Sequence, residues 1–451
     1  MIPPRCCGML TTSDKTAGFS PEDGDRIAIL RGHAEHLPPV LAAGFADSFD
    51  RFGGAKVVLL GEATHGTSEF YRGRGAITRR LIEKHGFNIV ALEADWPDVA
   101  RIDRYVRHRA PEPSREEIFR RFPEWMWRNE EFREFVDWLR EYNEVLPDAR
   151  RVELRGLDVY SLGASIDAVL RYLDRVDAQA AARARERYGC LTPWQQEPAE
   201  YGTAAISGDA NCEREAVDQL RELLQHRLEY SAKDGESFFD AAQNARIVRA
   251  AEEYYRTIYR GSVASWNLRD RHMFETLRRL IEARGPDARA IVWAHNSHIG
   301  NAAATAMGWE GEFNIGELAR TAFGNDIIAI GFGTDRGKVA AASSWDYPMR
   351  IMNVLPARND SYEALFRQTN VPRSLTDWSP GQRQELRDAL SVSKLERAIG
   401  VVYRPDSELM SHYFKAVMSE QFDAFVWFEE TAAITPLGSL LTGPQTYPQG
   451  L

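Results

Sequence analysis

The stretch that decides the fold runs from residue 56 to residue 96 and reads KVVLLGEATHGTSEFYRGRGAITRRLIEKHGFNIVALEADW. It contains two short apolar runs, Lys56–Leu60 and Phe87–Leu92, separated by a segment of helical length. Both runs are rich in β-branched residues and lack clean alternation, which is typical of buried strands in a parallel sheet. A strand, a helix and a second strand in succession predict an α/β fold.

The same kind of apolar run recurs along the rest of the chain. Five further runs are Arg151–Leu157, Ala288–Ala294, Asp326–Gly333, Ala398–Tyr403 and Phe422–Phe428. Segments with helical periodicity lie between them. In residues 130–146, for example, the apolar positions Phe132, Phe135, Val136, Leu139 and Tyr142 share one helix face. We therefore predict a mostly parallel central sheet that is flanked by helices.

One long stretch breaks this alternation. From about residue 164 to residue 284 there is no strand pattern, but there are several helical patterns. One pattern carries Val217, Leu220, Leu224 and Leu228, and two others span Phe238–Tyr259 and Trp266–Ile281. A crossover between parallel strands needs only about a dozen residues. The prediction is a helical subdomain inserted at about 164–284 into one domain, residues 25–451, which follows a ragged N-terminus, residues 1–24.

Composition excludes several classes of protein. The 451 residues carry 56 basic and 66 acidic side chains, a net charge of −10, which argues against a general nucleic-acid binder. No window approaches about 18 consecutive apolar residues, so no membrane partner is predicted. The four cysteines, Cys6, Cys7, Cys190 and Cys212, have no framework spacing. We interpret them as reduced thiols without partners and predict a cytoplasmic protein.

The candidate site follows from the strands. In an open α/β sheet, ligands bind beyond the carboxyl ends of the strands. The polar residues after the seven predicted strands are, in order, Glu62 and His65; Glu93, Asp95 and Trp96; Asp158 and Tyr160; His295 and His298; Thr334 and Asp335; Arg404; Glu429 and Glu430. A merely solvated rim would favour Lys, Ser and Gly over histidine. The three histidines therefore indicate an active site.

The absence of several known motifs reduces the number of reactions that the protein could catalyse. The sequence has no G-x-S-x-G, H-E-x-x-H or Walker A motif. Gly331–Gly337 is glycine-rich, but its spacing does not fit a dinucleotide-binding loop, and we interpret it as a strand-end loop. What remains is histidine and carboxylate chemistry without a serine or cysteine nucleophile. A histidine can remove a proton from water, and a neighbouring carboxylate fixes its tautomer. No cofactor is predicted.

Beyond these patterns, the sequence resembles the erythromycin esterase family. The resemblance is carried by residues 61–96, from GEATHG to EADW, and by the blocks FPEWMWRNEEFREFVDWLREYN, RGLDVYSL, SWNLRDRHM, VWAHNSHIG, YRPDSELMSHYF and FDAFVWFEETAAITPL. Together these blocks cover about residues 25–440. The resemblance implies an α/β core with a helical bundle over the cleft. It also implies metal-independent hydrolysis of a macrolide lactone, an antibiotic-resistance activity.

The resemblance also assigns residues. It implies that His65 is the general base, and it places the other catalytic positions at Glu62, Arg74, Glu93, His295 and His298. Arg74 would hold a substrate oxygen or pair with Glu93. We expect Trp96 and Arg269 to bind the substrate, and Trp266 is a further candidate for the pocket wall.

Several alternatives remain open at this point. A metal-dependent hydrolase would use His65, His295, His298 and Glu93 as ligands, and a third possibility is a non-catalytic binder of a macrocyclic ligand. Arg269, Asp270 and His272 either contact the cleft or form an internal ion-pair network, whereas His33 and His36 are expected to be structural. The expected partner is a small ester or lactone, and the oligomeric state is not predicted.

Overall fold

The computed structural model describes residues 21–113, 124–344, 347–381 and 383–438. Most of the predicted ragged N-terminus, including Cys6 and Cys7, lies outside these residues, and the first helix begins at Pro21. In the described part of the chain, no helix is long and apolar enough to cross a membrane.

The centre of the fold is a nine-stranded sheet. The described strands are β1 Glu35–His36, β2 Val57–Leu60, β3 Ile89–Asp95, β4 Glu153–Asp158, β5 Ala290–Trp293, β6 Ile327–Ala342, β7 Met349–Val354, β8 Arg373–Asp377, β9 Lys394–Arg397, β10 Tyr413–Ala416 and β11 Ala424–Thr431. The sheet order is β1-β8-β11-β6-β2-β5-β3-β4, and β7 pairs with the long strand β6. The pairs from β11 through β4 are parallel, whereas β1–β8, β8–β11 and β6–β7 are antiparallel. This confirms the predicted α/β fold with a mostly parallel sheet.

Helices cover both faces of the sheet. They are α1 Pro21–His33, α2 Ser68–His85, α3 Trp96–Val106, α4 Glu124–Trp127, α5 Glu130–Glu144, α6 Leu162–Val176, α7 Ala178–Tyr188, α8 Pro198–Ser207, α9 Glu213–Gln225, α10 Arg227–Thr257, α11 Ser262–Arg284, α12 Asn296–Ile299, α13 Ala306–Trp309, α14 Ile315–Phe323, α15 Tyr362–Gln368, α16 Gln384–Ala389, α17 Glu408–Ser411 and α18 Met418–Gln421.

The central strands β2 and β5 are apolar at every position, without alternation, because each face of the sheet packs against its own core. Val58 and Leu60 of β2 belong to the core that contains Phe70 of α2 and Phe135 of α5. Val57 and Leu59, which point the opposite way, belong to a second core with residues of α1, α11 and α14. Because both faces are covered, every residue of β2, β3 and β5 is buried.

Helices alone connect β4 to β5. This part of the chain, α6 to α11, is where the sequence predicts a helical insertion; the division into a domain and an insertion stays a prediction. One predicted helix face is wrong at its end, because a break at His226 separates α9 from α10 and leaves Leu228 exposed. Helix α10 is interrupted again at Asp234, where φ is −159° and ψ is 96°.

The predicted strand at Ala398–Tyr403 is not a strand. Ile399 and Tyr403 pack instead in a small cluster with Val339, Ala341 and Val354, so their apolar character serves packing against the distal half of β6. The neighbouring residues form the separate β9–β10 hairpin. The antiparallel strands β7 and β8 were not predicted from the sequence. Strand β7 lies at an edge, paired only with β6, and β8 lies between β11 and the two-residue strand β1.

Strand β6 is twice as long as the apolar run predicts. It continues from Ile327 to Ala342, so Gly331–Gly337 is part of a strand and is not the predicted strand-end loop. Thr334 and Asp335 therefore lie inside β6, and Glu429 and Glu430 lie inside β11. None of these four residues stands at a strand end.

Cys190 and Cys212 form a disulfide. The bond joins the segment after α7 to the residue before α9, and it contradicts the interpretation of these cysteines as reduced thiols without partners. Sequence spacing missed the pair because the two cysteines are 22 residues apart, with helix α8 between them. The cytoplasmic location stays a prediction.

We expect reduction of this disulfide to lower the free energy of unfolding by about 3 kcal/mol, because the bond restricts a loop of the unfolded chain. Denaturant unfolding with and without dithiothreitol measures the change. A Cys190→Ala/Cys212→Ala variant is the control, and its stability should not respond to reductant. An unchanged wild-type midpoint after both thiols have been titrated would contradict the expectation.

Candidate active site

Four adjacent parallel strands bring the predicted residues together. Along the sheet, the carboxyl ends of β2, β5, β3 and β4 lie side by side. They carry Glu62 and His65, then His295 and His298, then Glu93, then Asp158. Strand β5 enters the sheet between β2 and β3, so the two histidine motifs become neighbours.

His65 is held by a carboxylate and an arginine. Its Nδ1 lies 2.9 Å from Oε1 of Glu62, and the other oxygen of Glu62 accepts a hydrogen bond from Arg74. Arg74 is fully buried, and its guanidinium also faces the rings of Tyr71 and Trp293. With Nδ1–H donated to Glu62, Nε2 of His65 carries the free lone pair of a base.

Glycine is required on both sides of this motif. A Cβ on Gly61 would stand 2.1 Å from Oδ1 of Asn296, and a Cβ on Gly66 would stand 1.9 Å from the carbonyl oxygen of Ala340. Both contacts are closer than atoms can approach. The turn after β2 therefore packs directly against its neighbours, which fixes the position of His65.

His295 presents a free donor toward His65. Its Nδ1 accepts a hydrogen bond from the backbone N–H of Ser297 at 3.2 Å, as the N-cap of α12. Burial, with the nearby His65, lowers the pKa of His295 to about 3, so the ring is neutral and its proton lies on Nε2. That buried Nε2 has no hydrogen-bond partner in the described part of the chain. The rings of His65 and His295 are 5.0 Å apart.

Both carboxylate oxygens of Glu93 accept hydrogen bonds from other residues of the site, so Glu93 is not free to act as a base. One oxygen accepts from the backbone N–H of His295 at 2.9 Å, and the other accepts from Arg269 at 2.8 Å. Arg269 also donates to both oxygens of Asp158, at 3.0 and 2.7 Å. Burial alone would raise the pKa of Glu93, but His298 and Arg269 hold it well below its usual range.

Acidic neighbours act on His298. Burial would lower its pKa, but Asp270 at Nδ1, 2.9 Å away, and Glu93 raise it to about 9. Its Nε2 lies 3.3 Å from Oε1 of Glu93 and 3.0 Å from a guanidinium nitrogen of Arg269, whose N–H points at it. The ring stacks on Trp266 with centroids 4.5 Å apart. These four neighbours hold the ring of His298 in place.

The raised pKa of His298 predicts a pH dependence of stability. A histidine with a pKa raised from 6.5 to about 9 contributes stability that is complete below the lower value and lost as pH rises through the higher one. We expect the stability difference between the wild type and His298→Gln to shrink by roughly 1–3 kcal/mol across that range. Urea unfolding of both proteins at several pH values measures it. A difference that is constant with pH would contradict the assignment.

Other predicted residues lie elsewhere or play another part. Arg74 pairs with Glu62 and not with Glu93, and its contact with a substrate stays a prediction. The indole N–H of Trp96 donates to Asp240 and its ring packs on Phe239, and its substrate-binding role also stays a prediction. Arg404 is exposed and donates to the carbonyl of Ser343.

The segment Arg269–His272 divides between two environments. Arg269 and Asp270 join the ion-pair network under the site, one of the two predicted alternatives. Arg269 is buried among carboxylates, so its substrate-binding role is only a prediction. His272 is buried outside this network, and burial, with Arg279 nearby, lowers its pKa to about 3.

Sequence reasoning missed Asn296, the second residue of HNSH. The side-chain amide of Asn296 exchanges two hydrogen bonds with the backbone of Phe332. The backbone N–H of Asn296 donates to the backbone carbonyl oxygen of Glu62 at 2.8 Å. It therefore ties the segment after β5 to β6 and to the turn after β2. The signal was present, because an asparagine between two site histidines is a side chain that can satisfy two backbone groups.

The alternative ligand set of His65, His295, His298 and Glu93 is not arranged for a metal. Within the described ranges, no group of three His, Cys, Asp or Glu side chains has the positions to hold one. Arg269, itself a cation, lies against His298 and Glu93. Metal dependence remains a matter for the chelator experiment below.

Comparison with known proteins places this geometry in context. A family model described as erythromycin esterase matches residues 82–431. The match begins downstream of Glu62, His65 and Arg74, so the placement of those residues comes from the structure.

Three similar proteins are informative. The chain is 22% identical over 412 residues to the putative hydrolase YbfO of Bacillus subtilis, covering 85% of this chain and 84% of that one. It is 22% identical over 272 residues to erythromycin esterase type I of Escherichia coli, covering 54% and 62%. A solved structure of a mutant of the erythromycin esterase EreC, in its open conformation, superimposes with a TM-score of 0.66 and 18% identity, covering 90% of this chain and 99% of that one.

Proposed function

The chain belongs to the erythromycin esterase family, and we propose that it is a hydrolase of carboxylic esters or lactones in which His65 activates water. The observation that carries the proposal is the pairing of two buried histidines with opposite roles. His65, oriented by Glu62, offers a lone pair, and His295 offers an unpartnered N–H.

His65 is suited to be the general base. The buried carboxylate of Glu62 accepts a hydrogen bond from Nδ1–H and stabilises the imidazolium that forms when Nε2 accepts a proton. Arg74 prevents Glu62 from rotating away, because its guanidinium holds the second oxygen. This arrangement fixes both the tautomer and the direction of the ring.

His295 is suited to stabilise the oxyanion. Its Nε2–H is fixed by the cap on Ser297 and by the hydrogen bond from its own backbone to Glu93. A fixed donor in a buried site stabilises developing charge without reorganisation. Because its pKa is lowered to about 3, His295 stays neutral and does not compete with His65 for a proton.

The reaction then follows in two steps. The oxygen of water bonds to the carbonyl carbon while its proton passes to Nε2 of His65, and the carbonyl oxygen becomes an oxyanion that accepts from His295. The tetrahedral intermediate collapses by breaking the bond to the alkoxy oxygen, which takes the proton from His65. The products are an acid and an alcohol, joined in one molecule when the substrate is a lactone.

The substrate class rests on the relatives. The names of the Escherichia coli esterase and of EreC refer to erythromycin, a macrolide lactone, so a macrolide is the first substrate to test. Cleavage of such a lactone would make the protein an antibiotic-resistance enzyme.

A hydrolysis panel tests the proposal. Purified protein is incubated with 14-membered macrolides and with chromogenic acetate and butyrate esters, each with and without EDTA, and products are identified by mass spectrometry. The expected result is the addition of one water to at least one substrate, at the same rate with chelator. No turnover anywhere in the panel would contradict ester hydrolysis, and loss of activity with EDTA, restored by metal, would replace the histidine mechanism by the metal-dependent alternative.

A further inference from the structure

A cavity lies outside the proposed active site. It has a volume of about 610 Å³ and is bordered by α3, β4, α6 and the residues of α10 around the break at Asp234. Six arginines line it, and we call it the arginine cavity: Arg101, Arg104, Arg109, Arg155, Arg171 and Arg175. None of its lining residues belongs to the hydrolytic site.

Half of these arginines have no ion-pair partner in the described residues. Arg155 is buried and paired with Asp103 at 3.3 Å, and Arg101 and Arg109 are also paired. Arg104, Arg171 and Arg175 are exposed and form no ion pair with any residue that the structure describes.

The carboxylates of the cavity offset only part of this charge. Asp103 and Glu236 pair with Arg107 and also with two arginines of the cavity, Arg155 and Arg109. Asp240 accepts from the indole of Trp96 at 2.7 Å, and Asp234 accepts from the backbone and side chain of Ser237. The lining has six arginines and these four carboxylates, so it has an excess of positive charge.

Two buried polar atoms of the wall also lack partners. The hydroxyl of Tyr172 and Oδ1 of Asn244 form no hydrogen bond in the described part of the chain, although the two residues are only 2% and 1% exposed. Burial raises the pKa of Tyr172 to about 12, so its hydroxyl stays a donor at neutral pH. Buried groups of this kind are costly unless something satisfies them. One donor and one acceptor in the wall are thus left unsatisfied by the described residues.

We propose that the arginine cavity binds a small organic anion that carries hydroxyl groups. Arg171 and Arg175 hold the charged group, and Tyr172 and Asn244 bind hydroxyls. The volume is in the range of about 300–1,000 Å³ that small-molecule sites occupy. Arginine suits a phosphate or carboxylate because its N–H groups bind two oxygens at once. The inference does not depend on the proposed hydrolysis.

Binding to three probes tests the proposal. Glucose 6-phosphate and gluconate represent hydroxylated anions, and uncharged glucose is the ligand control. Isothermal titration and thermal shift at constant ionic strength are expected to show saturable binding of at least one of the two anions and none of glucose. Absence of binding of both anions up to about 10 mM, a concentration that fills a millimolar site, would overturn the proposal.

Matched variants locate the binding. Arg171→Ala/Arg175→Ala should weaken the anion's affinity by about tenfold or more, and Tyr172→Phe by about fivefold. The controls are Arg278→Ala/Arg350→Ala, which removes the same charge outside the cavity, and Tyr188→Phe, which removes another buried hydroxyl without a partner in the described residues. Wild-type affinity in the arginine variant and in Tyr172→Phe would place the binding elsewhere and overturn the assignment.

Discussion

Replacing His65 by asparagine is expected to lower kcat by about 10²–10⁴-fold on any ester that the wild-type protein hydrolyses. The substitution removes the lone pair that accepts the proton of water. Asparagine can still donate to Glu62, so the buried carboxylate keeps a partner and the fold should persist. KM should change little, because the proposed role of His65 is to move a proton rather than to bind the ester.

His272 provides a matched control for this experiment. It is as buried as His65, each being 7% exposed, and it has a ring nitrogen without a hydrogen-bond partner in the described residues. His272→Asn therefore measures the cost of placing asparagine at a buried histidine position, and its kcat should stay within about twofold of the wild type. Equal activity of His65→Asn and His272→Asn would remove His65 from the mechanism.

Replacing His295 by asparagine is the second large effect, with an expected loss in kcat of about 10²–10³-fold. Asparagine is a favourable N-cap, and its side-chain oxygen can replace Nδ1 in accepting from Ser297. The cap is thus kept while the Nε2 donor is lost. The melting temperature should stay near that of the wild type, and steady-state kinetics with circular dichroism measures both quantities.

His295→Ala separates the two roles of this residue. It loses the cap as well as the donor, so it should be less stable than His295→Asn by about 1 kcal/mol while having similarly low activity. Substantial activity in His295→Asn would mean that another group stabilises the oxyanion, and the assignment of His295 would be wrong.

The fold was largely predictable because the central strands are short and buried on both faces. Runs such as Lys56–Leu60 and Ala288–Ala294 carry that information locally. The order of the strands is not local, however: β5 lies between β2 and β3 because of long-range packing. The run Ala398–Tyr403 is equally apolar, yet it packs as irregular chain, which no local pattern distinguishes from a strand.

The strand-end rule was enough to predict which residues lie in the site, but not which of them pair with one another. Glu62, His65, Glu93, His295 and His298 could be predicted together because parallel strands align their carboxyl ends. That Arg74 pairs with Glu62, or that Asp270 pairs with His298, depends on how α2 and α11 pack against the sheet. The disulfide between Cys190 and Cys212 likewise depends on the path of the chain around α8.

The most direct test of the central claim, that His65 activates water for attack on the carbonyl, is hydrolysis in H₂¹⁸O followed by mass spectrometry of both product and protein. The account predicts one ¹⁸O atom in the carboxyl group of the product, no acylated protein during turnover, and almost no product from His65→Asn. An acyl-protein adduct, or equal ¹⁸O incorporation by His65→Asn, would contradict it.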